Sequence, residues 1–208
     1  MTLISRAFGF LRDAALAWFF GAGYVSDAFF IAFRLPNLMR RLLSEGTLSL
    51  AFIPVFIDYL VNKGKDEAFL LAGSVLKSLS LVLTGVTLAG IFFAPVLVSL
   101  LAPGFLESPD KFSLTVLLAR IMFPFIFFVG LSALAMGIMN TLGHFCIPSL
   151  GPLMINLTII GFIFLVGPFM EKPVTGVAIG VLAGFLLLAV VLPAAADVLK
   201  TTDGKVYE

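Results

Sequence analysis

Charged side chains are scarce in this sequence: Asp, Glu, Lys and Arg make up 12% of its 208 residues, against about a quarter in an ordinary soluble domain. There is one cysteine, Cys146, so an internal disulfide is excluded. There is also one histidine, His144, and no GxSxG, phosphate-binding loop or cluster of metal ligands. We therefore expect a protein that is not an enzyme and that uses no cofactor or metal.

Apolar residues make up most of the sequence. The chain is 61% hydrophobic with a mean hydropathy of +1.15, which is typical of membrane proteins. Segments 78–106, 121–170 and 173–196 contain no Asp, Glu, Lys or Arg. Helices are the structures that satisfy their own backbone hydrogen bonds in lipid, so these runs predict spanning helices.

We predict an all-α membrane protein, a bundle of about six transmembrane helices. Segment 78–106 forms one helix bent at Pro95, and 121–170 forms two helices joined by a hairpin at 143–152. Segment 173–196 forms another helix. The first part of the chain provides helices at 2–20 and 26–60, the second interrupted at Pro36, with Gly46 as a candidate for a further interruption. Charges within the first apolar run argue against a cleavable signal peptide.

The basic residues that flank the spans predict the orientation. An N-in and C-in arrangement places more of them in the cytoplasm. Those predicted inside are Lys63, Lys65, His144, Lys200 and Lys205, and those outside are Lys111 and Lys172, beside Glu107, Asp110 and Glu171. Residues 1–197 would form the transmembrane lobe, and 198–208 a polar cytoplasmic tail. The net charge of +1 gives no reason to expect a nucleic-acid partner.

Three glycines, Gly176, Gly180 and Gly184, recur every four residues on the last predicted helix. This spacing lines small residues along one face, which lets another helix backbone approach closely. The pattern indicates packing inside the bundle or, alternatively, contact with a second copy.

The first two predicted helices carry most of the intramembrane charge. The residues concerned are Arg6, Arg12, Asp13, Asp27, Arg34, Arg40, Arg41 and Glu45. One charge at mid-bilayer costs on the order of 3 kcal/mol, so facing all of them to lipid costs roughly 20 kcal/mol. Two interpretations remain open: the arginines anchor helix ends at the cytoplasmic interface, or they form an anion site inside the bundle.

Helical phase favours a charged stripe on the second helix. At about 100° per residue, the residues that fall within roughly 40° of one another are Asp27, Arg34, Arg41 and Glu45. A kink at Pro36 would change the phase of the helix beyond it, which leaves either Arg40 or Arg41 as the inward-facing residue.

Two stretches carry a family resemblance. SRAFGFLRDA at 5–14 and GAGYVSDAFFIAFRLPNLMRRLLSEGTLSLAFIPVF at 21–56 closely resemble the opening of the MurJ (MviN) lipid II flippases. These belong to the multidrug/oligosaccharidyl-lipid/polysaccharide exporter superfamily. GIMNTLGHFCIPSLGPLMINL at 137–157 resembles the family's hairpin between its fourth and fifth helices.

The resemblance implies a multi-pass protein of the bacterial inner membrane that moves an undecaprenyl-pyrophosphate-linked peptidoglycan precursor to the periplasmic leaflet. It implies that Arg6, Arg12 and Arg40 line a cationic cavity for the pyrophosphate. Asp27 and Glu45 would make polar contacts that change during alternating access. Three further residues complete the predicted site: Arg34 and Arg41 as substrate-binding residues, and Asp13 as a gating or salt-bridge residue like Asp27 and Glu45.

One departure from the family concerns size. Its members carry about fourteen helices in two lobes, whereas this sequence holds about six, corresponding to the N-terminal lobe. Rocking of one lobe against another then requires a second lobe or self-association. Two other functions remain open: a non-transporting membrane module that binds an anionic lipid or a partner lobe, and an exporter of another polyprenyl-linked sugar or of a drug.

Overall fold

The computed structural model describes residues 2–21, 23–42, 48–143 and 146–203, and the regular elements in these ranges are helical. Side chains are described for 5–21, 23–38, 51–143, and 150–192. The α-helices in chain order are α1 (Thr2–Phe20), α2 (Tyr24–Leu42), α3 (Leu48–Asn62), α4 (Lys65–Leu101), α5 (Pro109–Met122), α6 (Phe125–Thr141), α7 (Cys146–Gly161) and α8 (Pro173–Asp203). A 3₁₀ turn, Pro103–Glu107, precedes α5, and a π-helical turn, Phe162–Val166, extends α7.

Four helical segments in the described ranges are long and apolar enough to cross a membrane: Lys65–Leu101, Pro109–Thr141, Leu150–Phe169 and Pro173–Leu192. The second joins α5 to α6, and the third joins α7 to its π-helical extension. Helices α1 and α2 each contain 19 residues, about 28 Å of helix, which is close to the thickness of the hydrocarbon core. With these two added, the number of long segments agrees with the predicted bundle, although two helices, α2 and the shorter α3, stand where one helix was predicted at 26–60.

The prolines interrupt the helices at a different place from the one predicted. Helix α2 continues through Pro36, which is buried, so the predicted interruption there is wrong. The candidate interruption at Gly46 lies outside the described residues. The break that sequence reasoning missed lies at Pro124, between α5 and α6. Proline offers no N–H to the preceding turn, and the backbone tightens there: the N–H of Ile126 donates to the carbonyl of Phe123 at 3.0 Å.

Three predicted boundaries also shift. Helix α4 begins at Lys65, ahead of the charge-free run, because a helix end at an interface tolerates charge. The hairpin turn is shorter than 143–152: Gly143 adopts a positive φ of 83°, and helix resumes at Cys146. Helix α8 continues to Asp203, so 198–203 of the predicted tail are helical.

The glycine stripe of α8 packs within the same chain. A Cβ on Gly180 would lie 2.5 Å from Cβ of Phe162, and one on Gly184 would lie 3.3 Å from the Ile155 Cα. On Gly176 it would lie 3.3 Å from the Gly167 Cα. All three glycines therefore face α7 and its extension, as the packing interpretation predicts. Close backbone approach is the main source of helix affinity in lipid, where burial from water contributes little.

Aromatic side chains hold α2, α6 and α8 together. The rings of Phe125 and Phe185 stack with centroids 4.5 Å apart, and Phe33 lies 6.0 Å from Phe125. Phe33 also stacks on Phe29 at 5.9 Å. This aromatic cluster forms the apolar base beneath the polar groove described next.

Candidate functional site

A groove of about 790 Å³ opens where α1, α2, α7 and α8 meet. Its polar lining comes from Arg12, Arg34, Asn37 and Asn156, and its apolar lining is Phe30, Phe33, Leu38, Pro152, Ile155 and Phe185. The two arginines lie near the middle of α1 and α2. Guanidinium groups at that height do not extend easily to either interface, since about 12 Å of helix separates each arginine from the nearer helix end.

Arg12 is held on two sides. Its Nη1 donates a hydrogen bond to Oδ1 of Asn156 at 3.1 Å. Its Nε and Nη2 both donate to Oδ1 of Asp13, at 3.0 and 2.8 Å. The Arg12 side chain is 23% exposed and that of Asp13 is 54% exposed. The guanidinium plane is thus oriented while part of it remains open to the groove.

Asn156 is the residue that positions Arg12 from across the bundle. It is 7% exposed, and its Nδ2 donates to the backbone carbonyl of Ser5 at 3.4 Å. The amide therefore accepts from one residue of α1 and donates to another, which ties α7 to α1. Asn156 is not among the residues predicted from sequence; the available signal was a polar amide inside the charge-free segment 121–170.

Of the other predicted arginines whose side chains are described, the structure places one, Arg34, in the groove lining. Arg34 is exposed and lines the groove with Arg12. Arg6 is exposed on α1, outside the groove lining. Arg40 and Arg41 belong to the last turn of α2, but their side chains lie outside the described part of the chain, as does the whole of Glu45.

Asp27 does not join the groove. Its Oδ2 accepts a hydrogen bond from Nζ of Lys111 at 2.7 Å, which connects the first turn of α2 to the first turn of α5. Lys111 also places its Nζ 4.1 Å from the ring centroid of Phe105. The predicted stripe is therefore divided: Asp27 pairs at one end of the bundle, while Arg34 lines the groove at mid-height.

The groove has an excess of positive charge. Asp13 balances Arg12, whereas Arg34 has no ion-pair partner among the residues whose side chains are described. In the described ranges, no three His, Cys, Asp or Glu residues gather as metal ligands would. Two guanidinium groups above an aromatic base can hold an anionic group through paired, charge-assisted hydrogen bonds.

Comparison with known proteins identifies the family. The family model described as "Lipid II flippase MurJ" matches residues 16–199. The chain belongs to the MurJ family. The probable lipid II flippase MurJ of Buchnera aphidicola subsp. Schizaphis graminum is 43% identical over 184 residues, which cover 88% of this chain and 36% of that protein. Lipid II flippase MurJ of Burkholderia cenocepacia is 37% identical, covering 89% of this chain and 36% of the relative.

A solved structure shares the fold. Lipid II flippase MurJ in an inward closed conformation matches with a TM-score of 0.76 at 31% identity, over 93% of this chain and 40% of that one. These matches confirm the resemblance to MurJ and the all-α membrane bundle, and the chain is a multi-pass membrane protein. Because MurJ proteins are flippases, the expectation that the protein is not an enzyme is also confirmed. The chain spans well under half the length of these relatives.

Proposed function

We propose that this chain forms one lobe of a lipid II flippase in the bacterial inner membrane, and that its groove receives the pyrophosphate of the undecaprenyl-linked precursor. The observation that carries the proposal is the double attachment of Arg12 to Asn156 and Asp13 at mid-height in the bundle. A guanidinium oriented before the substrate arrives loses less entropy on binding. Its permanent charge suits a phosphate that must leave water.

Arg34 supplies the second cation of the proposed site. It lines the same groove as Arg12 and lies in the neighbouring helix. Arg6, Arg40 and Arg41 would extend the cationic surface along α1 and α2, and Glu45 would exchange partners as access alternates. Asp27, attached to Lys111 at the opposite end of the membrane from the predicted cytoplasmic loops, would help to close the periplasmic side.

A second wall completes the proposed cavity. The groove is bounded by α1, α2, α7 and α8 of this chain, and alternating access needs a surface that moves against it. We propose that a second lobe provides this surface, or that a second copy of the chain does so.

The test is growth of a bacterium depleted of its own lipid II flippase. Two forms would be expressed: the 208-residue chain alone, and a chimera in which it replaces the corresponding N-terminal part of the Burkholderia cenocepacia relative. Arg12→Gln and Arg34→Gln would be introduced into each form. Arg120→Gln is the matched control, because Arg120 is an exposed arginine of α5 outside the groove. Immunoblotting of membranes would confirm equal amounts.

Growth with the chimera alone would support a lobe that needs a second lobe, and growth with the chain alone would support self-association. In either case Arg12→Gln should abolish growth and Arg120→Gln should not. Failure of both forms despite normal accumulation would reject the flippase proposal. It would favour a non-transporting module that binds an anionic lipid, or an exporter of another substrate.

A further inference from the structure

A second cavity lies at the C-terminal end of α1 and is separate from the arginine groove. Its volume is about 770 Å³, within the ~300–1,000 Å³ usual for small-molecule sites. It forms where α1 ends and where α2, α5 and α8 begin. The lining includes Phe19, Phe20, Tyr24, Asp110, Lys111, Glu171 and Lys172. These residues place it at a membrane–water interface.

The charged side chains around this cavity are of both signs, and most of them form no ion pair with another described side chain. Lys111 is engaged by Asp27 and Phe105. In contrast, the side chains of Asp110, Glu171 and Lys172 are exposed and have no hydrogen-bond or ion-pair partner among the described side chains. The cavity therefore offers two carboxylates and one ammonium group to a ligand. A zwitterion matches this set better than a simple anion or cation.

Exposed apolar side chains, which we call the apolar band, come from chain segments that adjoin the cavity lining in sequence. Trp18 is 76% exposed and its ring lies 6.0 Å from that of Phe164. Leu165 and Phe169 continue the band, with 73% and 88% exposure. The band comes from the end of α1 and from the segment that leads into α8, and both of these also line the cavity. Aromatic side chains at this height commonly contact lipid at the level of the headgroups.

We propose that this cavity binds the headgroup of a phospholipid bearing a primary ammonium group, of the phosphatidylethanolamine class. The ammonium would donate hydrogen bonds to Asp110 and Glu171, and the phosphate would accept from Lys172. The acyl chains would lie against Trp18, Phe164 and Leu165. A choline headgroup has no N–H and cannot donate to the two carboxylates, so the site should distinguish the two zwitterions. The proposal is independent of lipid II transport.

The test is lipid retention by the purified protein, measured by native mass spectrometry from detergent micelles. The probes are phosphatidylethanolamine, phosphatidylcholine and phosphatidylglycerol with identical acyl chains. We expect retention of the ethanolamine lipid to exceed that of each other lipid by about threefold, which corresponds to about 0.7 kcal/mol and lies within the range of exposed ion pairs. Equal retention of the ethanolamine and choline lipids would overturn the proposal, as would stronger retention of the glycerol lipid.

Variants then locate the site. Asp110→Asn combined with Glu171→Gln should remove the preference for ethanolamine over choline, and Lys172→Gln should lower retention of both lipids. Asp66→Asn combined with Glu67→Gln is the matched control, because these exposed carboxylates lie in the first turn of α4, at the opposite end of the bundle. A preference that survives the first pair, or that is lost in the control pair, would contradict the assignment. The wild-type headgroup comparison does not depend on the folding of any variant.

Discussion

Arg12 of α1 and Asn156 of α7 are 144 residues apart in the chain, yet the arginine Nη1 donates a 3.1 Å hydrogen bond to the amide Oδ1. Asn156 is itself positioned by donating to the Ser5 carbonyl. The contact therefore connects the charged N-terminal helix to a segment free of charge. Together with the two hydrogen bonds to Asp13, it orients the guanidinium of Arg12.

Replacement of Asn156 should weaken anion binding. A hydrogen bond to a charged group contributes about 1.5–3 kcal/mol, so we expect Asn156→Ala to lower the affinity for undecaprenyl pyrophosphate about tenfold or more. Asn156→Asp should also weaken binding, because a second carboxylate would neutralise Arg12. Affinity would be measured with purified protein in micelles. Asn62→Ala is the control, since Asn62 donates to Asp58 away from the groove. Unchanged affinity in both Asn156 variants would refute a positioning role.

Arg12→Lys should also impair binding although the charge is kept. Arginine uses Nη1 for Asn156 and both Nε and Nη2 for Asp13. The donors of a lysine ammonium are all on one nitrogen atom, so they cannot reproduce the planar arrangement of the three guanidinium nitrogens. We expect affinity between those of wild type and Arg12→Gln in the same assay. Wild-type affinity in Arg12→Lys would show that charge alone suffices.

The ion pair between Asp27 and Lys111 should contribute little to stability. Asp27 is 59% exposed and Lys111 20% exposed, so solvent screening limits the pair to about 1 kcal/mol or less. We expect Asp27→Asn and Lys111→Met each to lower the Tm by about 1–4 °C, and the double variant to lower it by less than the sum. Raised salt should shrink the effect of Asp27→Asn. Strict additivity at low salt would mean that the two residues are not coupled.

Gly180→Ala should destabilise the bundle. The new methyl group would lie 2.5 Å from Phe162 Cβ, so α7 and α8 must separate, at a cost of about 1–3 kcal/mol. Gly85→Ala is the matched control, because a Cβ there meets nothing within 4 Å and alanine favours helix. Thermal unfolding in detergent would compare the two. A Tm for Gly180→Ala at or above wild type would contradict the packing described.

Much of the fold was predictable because membrane helices follow local rules. Long charge-free segments predicted spans near α4, α6, α7 and α8, since an unpaired backbone or charge is costly in lipid. The spacing of Gly176, Gly180 and Gly184 predicted close packing, and the motifs at 5–14 and 21–56 predicted the MurJ family. The concentration of arginine in α1 and α2 likewise indicated the two helices whose Arg12 and Arg34 line the groove, and anion binding there stays a prediction.

The sequence alone determined composition, span positions, family and the charged helices, because each depends on residues that are close together in the chain. Only the tertiary structure decided which residues contact one another. Asp27 pairs with Lys111, Arg12 donates to Asn156, and the α8 glycines face α7 and its extension. It also kept α2 continuous at Pro36 while α5 and α6 separate at Pro124. Such choices depend on which helix faces lie opposite one another, and neither periodicity nor hydropathy specifies that.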